Sequence, residues 1–175
     1  MKLLYTLIIL LAFLFSSDES EIIEANNRFA INLYSQYKSE EGNIFFSPFS
    51  ISTAMAMIYE GAEGKTANEM KSVFGFPKYD NSSRNQYSDL LSEINKKDKE
   101  YALKKANALW AQQDFQFLDE YITTVEEYYE GKTTNLDFKN EGEASRLIIN
   151  DWVEDKTNNK IKDLFPEDSI HSLTR

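Results

Sequence analysis

The stretch Asn43-Ile-Phe-Phe-Ser-Pro-Phe-Ser-Ile-Ser-Thr-Ala-Met-Ala-Met-Ile-Tyr-Glu-Gly-Ala-Glu-Gly64 decides the fold. Ile44–Phe46 is an apolar run too brief for a helix and suited to a buried strand. Ser47 offers a hydroxyl to cap the turn that follows, and Pro48 takes the first helical position, where a missing N–H costs nothing. From there Ile51, Ala54, Met55 and Ile58 recur at helical spacing, while Phe49, Ala56 and Met57 make the other faces apolar. A helix apolar on nearly every side must be buried on nearly every side. Gly61 and Gly64 are the stop signals. The rest of the chain has to wrap this strand-to-helix element.

Working outward, Glu21–Lys38 places Ile22, Ala25, Phe29, Leu33 and Tyr37 on one face, which predicts an amphipathic helix on the core. Lys65–Pro77 reads as a short helix with Thr66 and Glu69 as a capping box, Met70, Val73 and Phe74 inward, and Gly75 and Pro77 as its end. Lys78–Ser83 is a polar loop holding the sequon Asn81-Ser82-Ser83, which makes Asn81 a candidate N-glycosylation site. Arg84–Lys97 predicts a helix with Tyr87, Leu90, Leu91 and Ile94 inward. Tyr101–Gln112 lacks caps and alternates, with Ala102, Lys104, Ala106, Ala108 and Trp110 on one strand face. Leu118–Glu130 is helical, with Leu118, Tyr121, Ile122, Val125 and Tyr129 in register and Gly131 as its stop. Thr133–Phe138 is a short strand. Glu143–Thr157 is the last helix, with Ile148 and Trp152 on one face, Ile149 and Val153 beside them, and Asn150 and Thr157 suited to positioning backbone. The class is α+β.

Composition narrows the chemistry. The 175 residues carry a formal net charge of −10, a pI near 4.7 and no cysteine. An acidic chain lacks the Lys/Arg excess that displaces counterions from phosphates, so nucleic acid is not an expected partner. Thiol and Cys-zinc chemistry is excluded, and with His171 as the single histidine no His-centred metal cluster can be built. Gly61–Thr66 lacks the Gly-Lys-Ser/Thr ending of a phosphate loop. No nucleophile, base and orienting group are assembled, so neither an enzyme nor a cofactor is expected.

Residues 1–17 read as a signal peptide: Lys2 precedes an apolar run, Leu3–Phe15, that is shorter than the roughly 20 residues needed to span a bilayer. Leu14 and Phe15 spoil the small-x-small pattern, so the cut near Ser17 is not fixed, and an uncleaved anchor or a core strand are the alternative readings. Residues 18–175 then form the mature chain, and the expected location is extracellular.

Five segments carry a resemblance to the serpin family. They are Asn-Ile-Phe-Phe-Ser-Pro-x-Ser-Ile from Asn43, Gly-x-Thr-x-x-Glu-Met-x-x-x-Phe-Gly-Phe from Gly64, Lys-Lys-Ala-Asn-Ala-Leu-Trp from Lys104, Asn-Leu-Asp-Phe from Asn135, and the Ile149–Leu164 stretch. They stand in the family's order and spacing, over about Glu24 to Arg175. The resemblance implies the N-terminal part of the serpin fold: helices A to F with the first strands of the large sheet, incomplete. It implies a suicide-substrate inhibitor of serine endopeptidases outside the cell, whose exposed reactive loop is cut and inserts as a strand. That loop and most of the other sheets have no counterpart in these residues, so the chain alone is expected to be inactive and to self-associate through its uncovered apolar helix. A non-inhibitory serpin (a carrier, chaperone or binding protein) and a truncated product without independent activity are the alternatives.

The resemblance also implies site residues. Ser47 and Ser50 match hydroxyls of the shutter region beneath the large sheet, where a polar network must stay satisfied as strands part. Their plainer reading is an N-cap and a backward bond along the helix. In some serpins the fourth helix and the strand after it carry a heparin site. Here Lys96, Lys97, Lys99, Lys104 and Lys105 are the weak polyanion candidates. Glu93, Asp98 and Glu100 interrupt that run, which favours a solvated face and makes a heparin-like partner an unfavoured reading.

Overall fold

Apolar periodicity is answered by helix wherever it is sustained. A computed structural model describes residues 20–77, 81–95 and 106–174. In chain order the elements are α1 (Ser20–Tyr37), α2 (Pro48–Glu60), α3 (Gly64–Phe74), α4 (Asn81–Ile94), β1 (Ala108–Gln112), α5 (Asp119–Tyr129), β2 (Lys132–Leu136) and α6 (Gly142–Lys156). The expected leader, Lys96, Lys97, Lys99, Lys104, Lys105 and the first half of the expected Tyr101–Gln112 strand lie outside the described residues.

β1 and β2 pair in parallel, Ala108 opposite Lys132 through Gln112 opposite Leu136, with α5 as the crossover that a parallel pair requires. Successive residues of β1 serve opposite faces. Leu109 packs towards the cluster of Ile22, Ala56, Met57, Met70, Phe76, Tyr87, Val125 and Tyr129. Trp110 turns the other way, towards Phe138, Ile149 and Val153, and meets Trp152 of α6 edge-on at 5.7 Å. The two strands thus lie side by side, with α6 packed over one face of the pair. α1, α3, α4 and α5 pack around α2 and one another on the opposite side of the sheet.

Ile44–Phe46 is not a buried strand: it is irregular, pairs with no strand among the described residues, and exposes Ile44 and Phe45. Four further expectations change. The capping box does not form: α3 starts at Gly64 behind Glu63, which leaves Thr66 inside the helix and gives Glu69 to Lys65 at 3.3 Å. Asn81 opens α4 instead of lying in a loop; it is exposed, and Ser83 of the same sequon is buried. Val73, Leu118 and Ile148 point outward at 60%, 78% and 47% exposure; Leu118 stands before the first turn of α5, while on α3 and α6 the buried apolar positions are Met70 and Ile149 with Val153. Burial of α2 is one-sided: Ser52, Thr53, Ala56, Met57 and Tyr59 are inside, whereas Ile51 and Ile58 face out.

The end of α5 differs in cause. The residue in the left-handed conformation is Glu130 (φ 51°), not Gly131, and the N–H groups of both donate to the Val125 carbonyl. Gly131 is required by space: a Cβ there would lie 2.6 Å from Met57 Cε and 2.7 Å from Val125 Cγ1, two side chains of the closed core. Gly131→Ala is therefore expected to destabilise the chain by about 1–3 kcal/mol through overpacking. Urea unfolding measures this, and an unchanged midpoint would show that the core yields.

Candidate functional site

The first turn of α2 is built by its own hydroxyls. Ser47 has extended backbone, and its Oγ accepts from the Ser50 N–H at 3.3 Å and bonds Ser50 Oγ at 2.9 Å. Both serines are exposed. This is the N-cap geometry of the plainer reading. Burial beneath a sheet is not found for either residue, because among the described residues the only strands are β1 and β2 and neither covers this turn. Thr53 and Ser52, one turn on, are the buried hydroxyls. Thr53 Oγ1 donates to the Phe49 carbonyl at 2.9 Å. Ser52 faces Tyr87, whose ring is fully buried. Burial pushes the Tyr87 phenol up to about 12, and the neighbouring Ser52 and Asn26 side chains pull weakly the other way.

The last turn of α2 holds a charge. The Glu60 side chain is 2% exposed and accepts a fork from Arg84 of α4, Nε to Oε1 at 3.1 Å and Nη2 to Oε2 at 2.9 Å, plus the Tyr129 hydroxyl at 2.8 Å. The bond to Glu60 raises the Arg84 guanidinium further. Three elements are pinned by one carboxylate, whose desolvation is offset by three donors.

On α6 the functional polar residues are Arg146, Asn150 and Thr157. Asn150 is buried, and its amide group reads the Phe165 backbone in both directions, accepting its N–H and donating to its C=O at 2.9 Å each. Arg146 donates Nη1 to the same carbonyl at 2.8 Å and forks onto Glu143, holding that carboxyl below its usual range. Thr157 Oγ1 accepts from the Ile161 N–H at 3.1 Å. The expectation that Asn150 and Thr157 position backbone is met; the part played by Arg146 was not anticipated. His171 Nδ1 accepts from the Leu173 N–H, beside the end of the chain. These polar groups hold backbone and one another: the arrangement fixes geometry.

A family model described as serpin (serine protease inhibitor) matches residues 24–175. The chain belongs to the serpin family. An uncharacterized serpin-like protein of Methanosarcina acetivorans is 45% identical over 164 residues, covering 91% of this chain and 39% of that protein. Human Serpin B3 is 37% identical over 171 residues, covering 89% and 44%. Among solved structures, ovalbumin from emu (Dromaius novaehollandiae) superposes with a TM-score of 0.79 at 28% identity over 87% of this chain and 43% of that one. Serpin48 of the insect Tenebrio molitor, described as a highly specific serpin, does so at 0.79 and 30% identity, over 90% and 43%. The fold described above is thus the serpin fold in part, and the chain spans 39–44% of the length of these relatives.

Two outcomes test the polar core of this serpin chain. Arg84→Ala should cost about 2–3 kcal/mol, somewhat under the loss for a fully enclosed pair, since Arg84 is 24% exposed while Glu60 is left buried. Removing the exposed Lys65–Glu69 pair should cost under about 0.5 kcal/mol. Denaturant midpoints of both variants distinguish them; equal costs would deny the Glu60 fork its place.

The second concerns alkali. Tyr87 stays protonated in the native chain up to about pH 12, whereas an unfolded tyrosine ionises near pH 10. Stability should hold below that lower value and fall by about 2–3 kcal/mol between the two. Tyr59 and Tyr121, also raised by burial, act in the same direction. Tyr87→Phe should flatten this fall, as followed by unfolding in stepped alkaline buffers; an unaltered slope would assign it to other groups.

Proposed function

We propose that this chain is the N-terminal portion of a secreted serpin that inhibits serine endopeptidases by a covalent trap, and that the 175 residues alone do not inhibit. The family match over residues 24–175, with its description as a serine protease inhibitor, carries the reading. The shared fold and the identity to Serpin B3 support it. The match covers 39% and 44% of these two relatives, and under this reading the reactive loop belongs to the part of the protein that this chain does not match. Under this reading Ser47 and Ser50 become the shutter hydroxyls once the remaining strands of the large sheet lie over the first turn of α2. Residues 1–17 act as the export leader, and 18–175 belong to the serpin domain.

The apolar groups left outside support the expected self-association of the isolated chain. Phe45 is wholly exposed, and Ile51 and Ile58 are 38% and 44% exposed. A patch of this kind draws in another apolar surface.

The test uses the whole secreted serpin beside the 175-residue chain. The whole protein, recovered from medium, should have an intact mass lacking the leader to about Ser17. Incubated with a panel of serine endopeptidases, it should give a higher-mass complex that survives denaturing electrophoresis. The 175-residue chain should give none, and its light scattering should report oligomers. A covalent complex with the short chain, or the absence of one with every protease for the whole protein, would overturn the proposal.

A further inference from the structure

Beside the polar core described above lies a concave feature that it leaves unused. Where α2 ends and α5 begins, the chain forms a cleft of about 480 Å³, within the range of small-ligand sites. Ile58 and Gly61 make one wall. The other is the segment Phe115–Leu118, followed by Tyr121 and Thr124 of α5, with the Glu60–Arg84 pair also lining the cleft. The aromatic residues form a ladder: Phe115 meets Phe117 edge-on at 4.9 Å, and Phe117 stacks on Tyr121 at 5.5 Å. The ladder is held in place. Asn135 of β2 donates to the Gln112 and Phe115 carbonyls, and the Tyr121 hydroxyl donates to the Met57 carbonyl at 3.0 Å.

The charges give the cleft a sign. Glu60 spends its carboxylate on Arg84 and Tyr129, so that pair is neutral as a unit. Glu63 and Glu120 also line the cleft, are exposed, and take part in no ion pair among the described residues. An apolar anion entering here would meet two unmatched carboxylates. A positive group would meet those carboxylates and the faces of an aromatic ladder, both of which attract cations.

We propose that this cleft binds an organic cation, an ammonium or guanidinium group on an apolar stem, with the charge met by Glu63 and Glu120 and the stem against Phe117 and Tyr121. The same chemistry is offered by a free aromatic amine and by an arginine side chain in a peptide. The site is independent of protease inhibition, and so is its test. The full chain is titrated with phenethylamine, with hydrocinnamate as the anion of matching shape, and with acetyl-Phe-Arg-amide, using saturation-transfer NMR and calorimetry. Phenethylamine or the peptide should bind, hydrocinnamate should not, and added salt should weaken the complex. Glu63→Gln with Glu120→Gln should weaken binding at least about tenfold with the melting transition unchanged, since both residues are exposed. Phe115→Ala, at a half-exposed position, should weaken it without unfolding the chain. Tighter binding of the peptide assigns the site to polypeptide, and tighter binding of the free amine to a small molecule. Equal binding of hydrocinnamate, an unaffected double variant, or no binding of either cation would overturn the proposal.

Discussion

A thirteen-residue helix that is apolar on most of its surface cannot be left in water, and the structure is arranged around that requirement. α2 buries Ala56, Met57 and Tyr59 in a cluster to which α1, α3, α4 and α5 all contribute. The layers follow from this. The helices that cover α2 also cover one face of β1 and β2, which leaves α6 to cover the other face through Trp110, Trp152, Ile149 and Val153. The side of α2 carrying Ile51 and Ile58 receives no such cover among the described residues, so the constraint is satisfied on one side and standing open on the other.

Burying an apolar helix brings polar groups inside with it, and each has to be answered. The answers differ along α2. At its start the hydroxyls of Ser47 and Ser50 bond each other near water, where little is at stake. In the middle Thr53 returns its proton to the Phe49 carbonyl, a bond within the helix. At its end Glu60 needs a fork and a phenol from two other helices, the strongest requirement of the three. The same logic operates on α6, where Asn150 satisfies both backbone groups of Phe165 and so ties an irregular segment to a regular one. Tertiary order in this chain is concentrated where a buried polar group has a demanding geometry.

Helices and strands were legible in the sequence because each depends on periodicity, a local quantity. The spacing of Ile22, Ala25 and Phe29, and of Ile149 and Val153, placed α1 and α6 within a residue or two at each end. Asn150 was legible too, because a short polar amide on an otherwise apolar stripe has few uses other than binding backbone. The Glu60–Arg84–Tyr129 group was not, since its members lie 24 and 69 positions apart and no local pattern joins them. Glu60 offered one signal, a carboxylate in the last turn of an apolar helix, which is a place where a charge is either solvated or paired. Gly131 shows a different limit. A glycine after a helix is read as a conformational need, whereas here the need is for room beside Met57, and only the packed core reveals it. The exposure of Ser47 and Ser50 was unreadable for the same reason: which surface lies over a helix is a property of the assembled layers.

The parallel pairing of β1 with β2 has a kinetic side. Parallel strands need a crossover, and here α5 alone supplies it, so partners in register such as Ala108 and Lys132 are separated by one helix and its flanking loops. A unit of that kind loses little entropy on closing its loop and does not have to wait for remote segments. During synthesis it would leave the ribosome whole, with α2 already available to cover it. The strand pair therefore acts as a seed: a small, early platform that can form on its own, whose outer edges carry no strand among the described residues.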